Sequence, residues 1–468
     1  MTDETIVEPA VPDVPLIDAA AEALTSVDAL APGEVSIEPA ADEPAPADSK
    51  SSSVMHNGDF LKLWAGESVS LIGTQITQFA LPLVAVLTLG ASVFQVGVLN
   101  ACRYAPVVVV SLFAGVWLDR RHRRPILIAC SLGNAALIGL VPLTNALNVL
   151  SIGVLYAICL LVGVLTVVFD VGVMSFVPSL VERKQLADGN GKMQTSTAFA
   201  GVAGPGIAGL LVAALTAPVT LSFDAVSYLC SAVGLSRIRK PEPDPPAPED
   251  RPTVRASIAE GLRAVYGSRF LRALLTQSAT FNFFQNGLVT IFVVYAIRDL
   301  HMSPTKLGLV IGAISVGGVA GGLLANRIRN KIGFGPTMLI PTICAALCPL
   351  VLLIPRDASM GSMAILMCAQ AFYGFNLLVF NVNTLTLRQV ITPHHLLGRM
   401  NASYRMVLFG TGPIGAIIGG WLATVVGLRT ALVITAIVLT SPILWTLYSP
   451  VFRLKTMPSG PLENGTPS

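Results

Sequence analysis

From Phe60 to Val451 the chain is a succession of long apolar runs separated by short breaks. About 20 predominantly apolar residues are needed to cross roughly 30 Å of hydrocarbon. Twelve runs reach that order of length: 61–87, 93–118, 125–146, 151–177, 191–215, 218–236, 271–297, 304–326, 335–355, 361–387, 400–425 and 428–449. Hydrocarbon holds no water to satisfy backbone groups, and isolated strands would leave theirs unpaired. Each run is therefore predicted to be an α-helix, and the expected fold class is an all-α membrane protein with twelve transmembrane helices.

The segments between and around the runs predict the domain plan. Residues 1–55 are rich in Ala, Pro, Glu, Asp and Ser, with no Arg and no aromatic residue. Such a segment buries too little to offset its ordering entropy and is expected to be a disordered tail; a regulatory or partner-binding tail is the sharper alternative. It lacks the basic start and short apolar run of a signal peptide. Residues 237–270 separate six runs from six. They open on Lys240-Pro-Glu-Pro-Asp-Pro-Pro, a semi-rigid spacer, and continue as a polar, amphipathic stretch. The plan is thus a tail (1–55), a six-helix bundle (56–236), a linker (237–270), a second bundle (271–451) and a C-terminal tail (452–468).

Composition narrows the class further. Hydrophobic residues make up 53% of the 468 and charged residues only 12%, with a mean hydropathy of +0.70. Soluble domains carry about 25% charged residues, so soluble enzymes, fibrous proteins and nucleic-acid binders are excluded as expectations. With both termini cytoplasmic, 25 of the 30 basic residues flank the inner ends and four the outer ends, while Arg103 lies within a span. That asymmetry predicts the orientation. The acidic tail contrasts with it: residues 1–50 hold 12 acidic residues and one Lys. The seven cysteines all sit in apolar runs without metal-ligand or disulfide spacing, and read as small buried hydrophobes. No phosphate-binding loop of the Gly-x4-Gly-Lys-Ser/Thr type is present, which argues against an ATP-driven pump. No metal motif is seen, His394-His395 reads as solvated, and no cofactor is expected.

The two halves repeat one another. Gly115-x3-Asp119-Arg120 with Arg124 recurs as Gly322-x3-Asn326-Arg327 with Lys331, Phe169-Asp170-Val171 as Phe380-Asn381-Val382, and Asn190, Gly201, Gly204 and Gly209 as Asn401, Gly412, Gly415 and Gly420. The offsets, near 210 in each case, point to a duplicated six-span unit, and facing repeats describe a carrier with its site between them. Gly115-Val-Trp-Leu-Asp119-Arg120-Arg-His-Arg123-Arg124 resembles the signature loop of the major facilitator superfamily, a likeness that covers about residues 60–450. With Asp224-Ala-Val-Ser-Tyr-Leu and Asn381-Val-Asn-Thr-Leu-Thr-Leu-Arg388-Gln…Leu-Gly398-Arg399-Met-Asn401-Ala, it is similar more narrowly to the bacterial transmembrane secretion effector group, which includes enterobactin exporters and mycobacterial drug pumps. The resemblance implies the major facilitator fold as two six-helix pseudo-repeats in a bacterial plasma membrane. It also implies proton-coupled export of small hydrophobic or amphiphilic molecules by alternating access. The alternatives are a dedicated siderophore or natural-product exporter and, remotely, a scaffold or receptor; no catalytic dyad is found for an enzyme. The expected partners are the bilayer, a small-molecule substrate and protons, with no nucleic acid and a monomeric state.

The candidate site residues fall into three groups. Asp119, Arg120, Arg123 and Arg124 with Gly115, and Asn326 and Arg327 in the second copy, are candidate gating residues. A carboxylate at a moving helix end can engage helix N-termini or arginines and lose them when the halves part; the simpler role of the arginines is to hold this end inside. Gly204-Pro205 and Gly412-Pro413 are candidate helix bends, since small residues allow close approach and Pro bends a helix. The third group is intramembrane and polar, where function is the default. Arg103 lies near mid-depth and needs a counter-charge such as Glu67 or Asp170. The amides Gln75, Gln78, Asn282, Gln285, Asn286 and Asn376 lie at similar depth in the spans that line the central cavity of the resembled family. Related pumps often carry an acidic residue near Thr74, so a titrating carboxylate here falls to Glu67, Asp170 or another site. Asp224 and Arg405, near span ends, have structural and topological readings respectively.

Overall fold

The computed structural model describes residues 54–118, 121–242, 254–393, 396–454 and 458. Most of both expected tails, the proline-rich part of the linker, Asp119, Arg120 and His394-His395 lie outside the described residues. All regular structure described is helical. In chain order the helices are α1 (Gly58–Leu83, prolonged by a wide π turn at Val84–Thr88), α2 (Val93–Leu118), α3 (Arg123–Ala146), α4 (Ile152–Leu180), α5 (Leu186–Leu215), α6 (Ala217–Ser236), α7 (Val254–Gly267), α8 (Arg269–Arg298), α9 (Pro304–Ile332), α10 (Phe334–Val351), α11 (Met360–Ile391), α12 (Leu397–Val426), α13 (Leu428–Val438) and α14 (Pro442–Tyr448). Among the described residues 12 spans are long and apolar enough to cross a membrane: α1–α6, α8–α12, and α13 with α14 as the last. The helix α7 is the amphipathic part of the linker.

Local chemistry sets the ends. Asn57 Oδ1 accepts from the backbone N–H groups of Asp59 and Phe60, both at 3.1 Å, and so caps α1. Ser151, Ser268, Ser303 and Ser359 cap α4, α8, α9 and α11 in the same way, each relieving otherwise unpaired N–H groups. Helices α9 and α11 run past their apolar runs, to Ile332 and Ile391, with Arg329 and Lys331 in the last turn of α9 and Arg388 in that of α11. The short breaks differ. Gly427, between α12 and α13, has φ 86 and ψ 157. Thr216, between α5 and α6, has φ 122 and ψ 156, a region favoured only by glycine.

The end of the bundle carrying turns 147–151, 299–303 and 427 is termed outer, and the end carrying Arg123, Arg124 and Lys331 inner. In the first half α1 packs on α5 and α6, α3 on α4 and α6, and α2 on α4. In the second, α9 packs on α11, α8 on α12 and α10 on α11. The halves meet along two seams, α2 against α12 and α5 against α9.

Burial is uneven along the axis. The largest buried cluster lies toward the outer end and includes both halves: Leu83, Val96 and Ile138 from the first, Ile291, Val310 and Leu432 from the second. Toward the inner end it gives way to two separate clusters. One holds Phe60, Leu127 and Phe176; the other holds Phe270, Leu271 and Met400. The molecule is closed at its outer end and parted at its inner end. Apolar side chains also cover the outside, with Trp421 55% and Val226 57% exposed, a surface suited to lipid rather than water. Cys230 and Cys368 belong to this surface, in register with Val226 and Phe372. The reading of all seven cysteines as buried holds for Cys130, Cys159 and Cys348 and is corrected for these two and for the half-buried Cys102 and Cys344: apolar surroundings in sequence do not separate a lipid-facing stripe from a core.

Candidate functional site

A cavity of about 190 Å³ lies between the halves. Its walls include Gln75 and Gln78 from α1, Arg103 from α2, Pro205 from α5, Asn286 from α8 and Ile311 from α9. Above it the outer end is sealed. Asn100 Nδ2 of α2 donates to Thr290 Oγ1 of α8 at 3.1 Å. Arg298 Nη2 donates to the carbonyls of Gly90 at 3.2 Å and Ala91 at 2.7 Å. The seams are close backbone contacts. A Cβ added at Gly420 would stand 2.8 Å from the Val93 carbonyl oxygen, and one at Gly209 2.6 Å from that of Pro304.

The glycine-proline elements shape this cavity. Gly204 leaves room for the side chain of Gln75. Pro205 lines the cavity, and its carbonyl meets Gly308 across the seam. In α12, Gly412 faces the side chains of Asn282 and Asn286, at 3.0 and 3.1 Å from its would-be Cβ. Pro413 is buried beside it.

A second cavity, of about 460 Å³, lies within the second half between α8, α10, α11 and α12. Asn282 and Gln285 line it, with Arg388 and Arg405. The structure therefore distributes the amides over two cavities. Asn376 lines neither of them: it is 4% exposed, and its Nδ2 donates to the Phe372 carbonyl at 2.8 Å in its own helix.

The charged groups are arranged as follows. Glu67 is buried, and its Oε2 has no hydrogen-bond partner. Asp170 is exposed to the cleft and acts electrostatically on Glu67; Arg405 of the opposite half acts on Asp170. Among the described residues Arg103 forms no ion pair with Glu67 or Asp170. The carboxylate that feels its field is Asp224, which is fully buried and accepts hydrogen bonds from Thr77 and, at 2.9 Å, from Ser227. Gly73 makes space for that cluster, and Thr74 Oγ1 lies 3.3 Å from the Tyr228 hydroxyl.

At the inner end, Gly115 has open space around it, and Asn326 and Arg327 are exposed. Arg123 and Arg124 contact their own half and the linker. Glu242 accepts from the backbone N–H groups of Arg123 at 2.8 Å and Arg124 at 3.1 Å, and lies 3.6 Å from the Arg123 guanidinium. Arg124 Nε donates to the Leu235 carbonyl at 2.9 Å. A carboxylate does engage a helix N-terminus here, and it is Glu242, which the sequence presents only as part of a proline spacer. On the other side of the cleft, α7 packs through Gly261 on α12 and pairs Glu260 with Arg399.

A bundle of twelve spans in two halves, closed at one end and holding a polar cavity between them, is the build of a membrane transporter. The sequence model of the Major Facilitator Superfamily matches residues 63–413. The chain belongs to that superfamily. It is 27% identical over 381 residues to the multidrug efflux pump Tap of Mycolicibacterium fortuitum, covering 76% of this chain and 87% of that protein. It is 25% identical to the enterobactin exporter EntS of Shigella flexneri over 371 residues, or 77% and 84%. Macrolide efflux protein A of Streptococcus pyogenes is 21% identical over 371 residues, or 79% and 90%. Among solved structures, the nucleoside transporter NupG superposes with a TM-score of 0.66 at 10% identity, covering 83% of this chain and 99% of that one. A bacterial homologue of the human lysosomal transporter Spinster, inward-facing and occupied, gives 0.64 at 14% identity, covering 85% and 97%.

Proposed function

We propose that the chain is a secondary active exporter of small hydrophobic or amphiphilic molecules, driven by proton antiport, in a bacterial plasma membrane with both termini cytoplasmic. The observation that carries this reading is the divided core. One cluster joins the halves at the outer end and two separate clusters flank the cleft at the inner end. Halves that pack as units, with glycine seams between them, can part at one end and close at the other. The seams support a duplicated unit, because α2 against α12 and α5 against α9 exchange when the repeats are exchanged. The Thr216 and Gly427 turns support it too. Amides and one arginine among aromatic walls suit an amphiphile, oriented by a few polar groups. One chain completes the central cavity, in keeping with a monomer. Glu67, a carboxyl without a fixed partner beside the cleft-facing Asp170, is the candidate proton carrier. The latch is assigned to Asp119 and Arg120 with Gly115, Arg123 and Arg124, and a weaker one to Asn326 and Arg327.

The efflux-pump relatives favour broad substrates. A dedicated siderophore exporter is the second reading, favoured by Arg103 in the cavity wall and by the likeness to EntS. The test is transport by the purified chain in proteoliposomes under an imposed pH gradient. Uptake of a lipophilic dye into vesicles acidified inside is expected, and its collapse with an ionophore. Dye movement indifferent to the gradient would remove proton coupling; none with any amphiphile tried would favour the dedicated exporter.

A further inference from the structure

The second cavity has a charge pattern that the exporter reading does not use. In the spans of the first half the intramembrane charges are Glu67, Asp170 and Asp224 against Arg103. The spans of the second half contain no carboxylate: after residue 271 the acidic residues are Asp299 and Asp357 at outer turns and Glu463 near the C-terminus. Yet Arg388 and Arg405 both line the cavity between α8, α10, α11 and α12. Neither forms an ion pair among the described residues. The Arg388 Nε is buried without a hydrogen-bond partner. Its guanidinium is held in place by stacking 4.0 Å from the centre of the Tyr404 ring, whose hydroxyl donates to the Leu274 carbonyl at 3.2 Å. The Thr384 hydroxyl beside it is also buried and unpaired. The charge opposite Arg405 is Asp170 on α4, across the cleft and outside ion-pair distance.

Unpaired buried donors are costly, and an intramembrane arginine without a carboxylate more so. The far wall of the same cavity is apolar: Phe281 stacks with Tyr373 at 6.4 Å between centroids and 13° between planes, with Leu377 and Ala345 beside them. Arg388 stands in the last turn of α11, so the cationic part lies at the inner end and the apolar part deeper. A volume of about 460 Å³ lies within the range of sites for drug-sized ligands, roughly 300–1,000 Å³.

We propose that this cavity is a binding site for an anionic amphiphile, with a phosphate or carboxylate head on Arg388 and Arg405 and an apolar tail against the wall formed by Phe281, Tyr373 and Leu377. Guanidinium groups match both head groups through paired, charge-assisted hydrogen bonds. The same chemistry is offered by a membrane phospholipid or by a soluble amphiphile. The site is separate from the central cavity, and the inference is tested by binding rather than transport. Failure to bind leaves the exporter reading standing; binding without transport defeats only that reading.

The test uses the full chain in nanodiscs of zwitterionic lipid, with radiolabelled dodecyl phosphate as probe and empty nanodiscs as blank. Saturable binding is expected, with dodecanol competing at least about tenfold less well. Arg388→Gln and Arg405→Gln are each expected to weaken binding about tenfold or more. Should either glutamine variant fail to insert, Asn381→Asp, at the exposed rim, places a negative charge beside the head and is expected to weaken the phosphate but not dodecanol. Replacing part of the lipid by phosphatidylglycerol separates the sources. Arg388-dependent loss of probe assigns the site to a membrane phospholipid, and unchanged occupancy to a soluble amphiphile. Absent saturable binding, equal binding of the alcohol, or undiminished binding by the two glutamine variants overturns the proposal.

Discussion

Arg103 sits in the wall of the central cavity with no ion pair among the described residues, and the carboxylate that feels its field, Asp224, is already engaged by Thr77 and Ser227. A guanidinium stays charged in proteins, and near mid-depth its stem cannot carry it to either surface. Its charge is therefore available to a solute. Arg103→Ala is expected to reduce transport at least tenfold while membrane abundance stays equal or rises, since losing a charge eases insertion. Efflux and abundance measured on the same cells decide it: unchanged efflux with better expression would place Arg103 against lipid. The Asp119 carboxylate is assigned to the proposed latch by its place in the signature loop. Asp119→Asn is expected to leave the protein inserted and to remove most transport, because the proposed latch depends on its charge. Equal transport at matched expression would leave only a topological role for this loop.

At the scale of elements, two glycines on α9 separate the seam from the interior of a half. A Cβ at Gly308 would meet the Pro205 carbonyl of the other half, and one at Gly317 the Ala371 carbonyl of α11 in the same half. Overpacking of this kind costs about 1–3 kcal/mol, more than the ~1 kcal/mol that Ala gains over Gly in a helix. Gly317→Ala is expected to lower the unfolding temperature in detergent. Gly308→Ala is expected instead to disfavour the outer-closed arrangement, raising labelling of a cysteine placed at Asn100 with a smaller change in unfolding temperature. The same loss of stability from both, without added labelling, would argue against halves that move as units. The turn at Thr216 offers the opposite sign. A β-branched residue at φ 122 is strained, and relief of such strain is worth roughly 1–3 kcal/mol. Thr216→Gly is expected to raise the unfolding temperature, as glycine adopts this backbone without the Cβ clash.

At the scale of the molecule, the acidic segment 1–50 carries no apolar anchor and precedes the first span. Its deletion is expected to leave transport within about twofold of the full chain in proteoliposomes. Loss of activity in correctly inserted protein would assign it a regulatory role.

The sequence by itself determined the twelve spans and the family, because length, apolar content and signature motifs are local properties. It also placed a group of polar residues at mid-depth, but not which of them share a space. Gln75, Gln78, Arg103 and Asn286 meet around one cavity, Asn282 and Gln285 line another, and Asn376 turns back on its own helix. Arg388 reads in the sequence as one more inner-end charge, and only the packing of α8, α10, α11 and α12 brings it beside Arg405. Glu242 reads as spacer, and only the return of the linker sets it on α3. The physical reason is common to all of these. Lipid is as apolar as the core, so the hydrophobic pattern marks a span without saying which face meets another helix. Close contacts of small residues and the few polar groups make that choice, and they act between elements far apart in the chain.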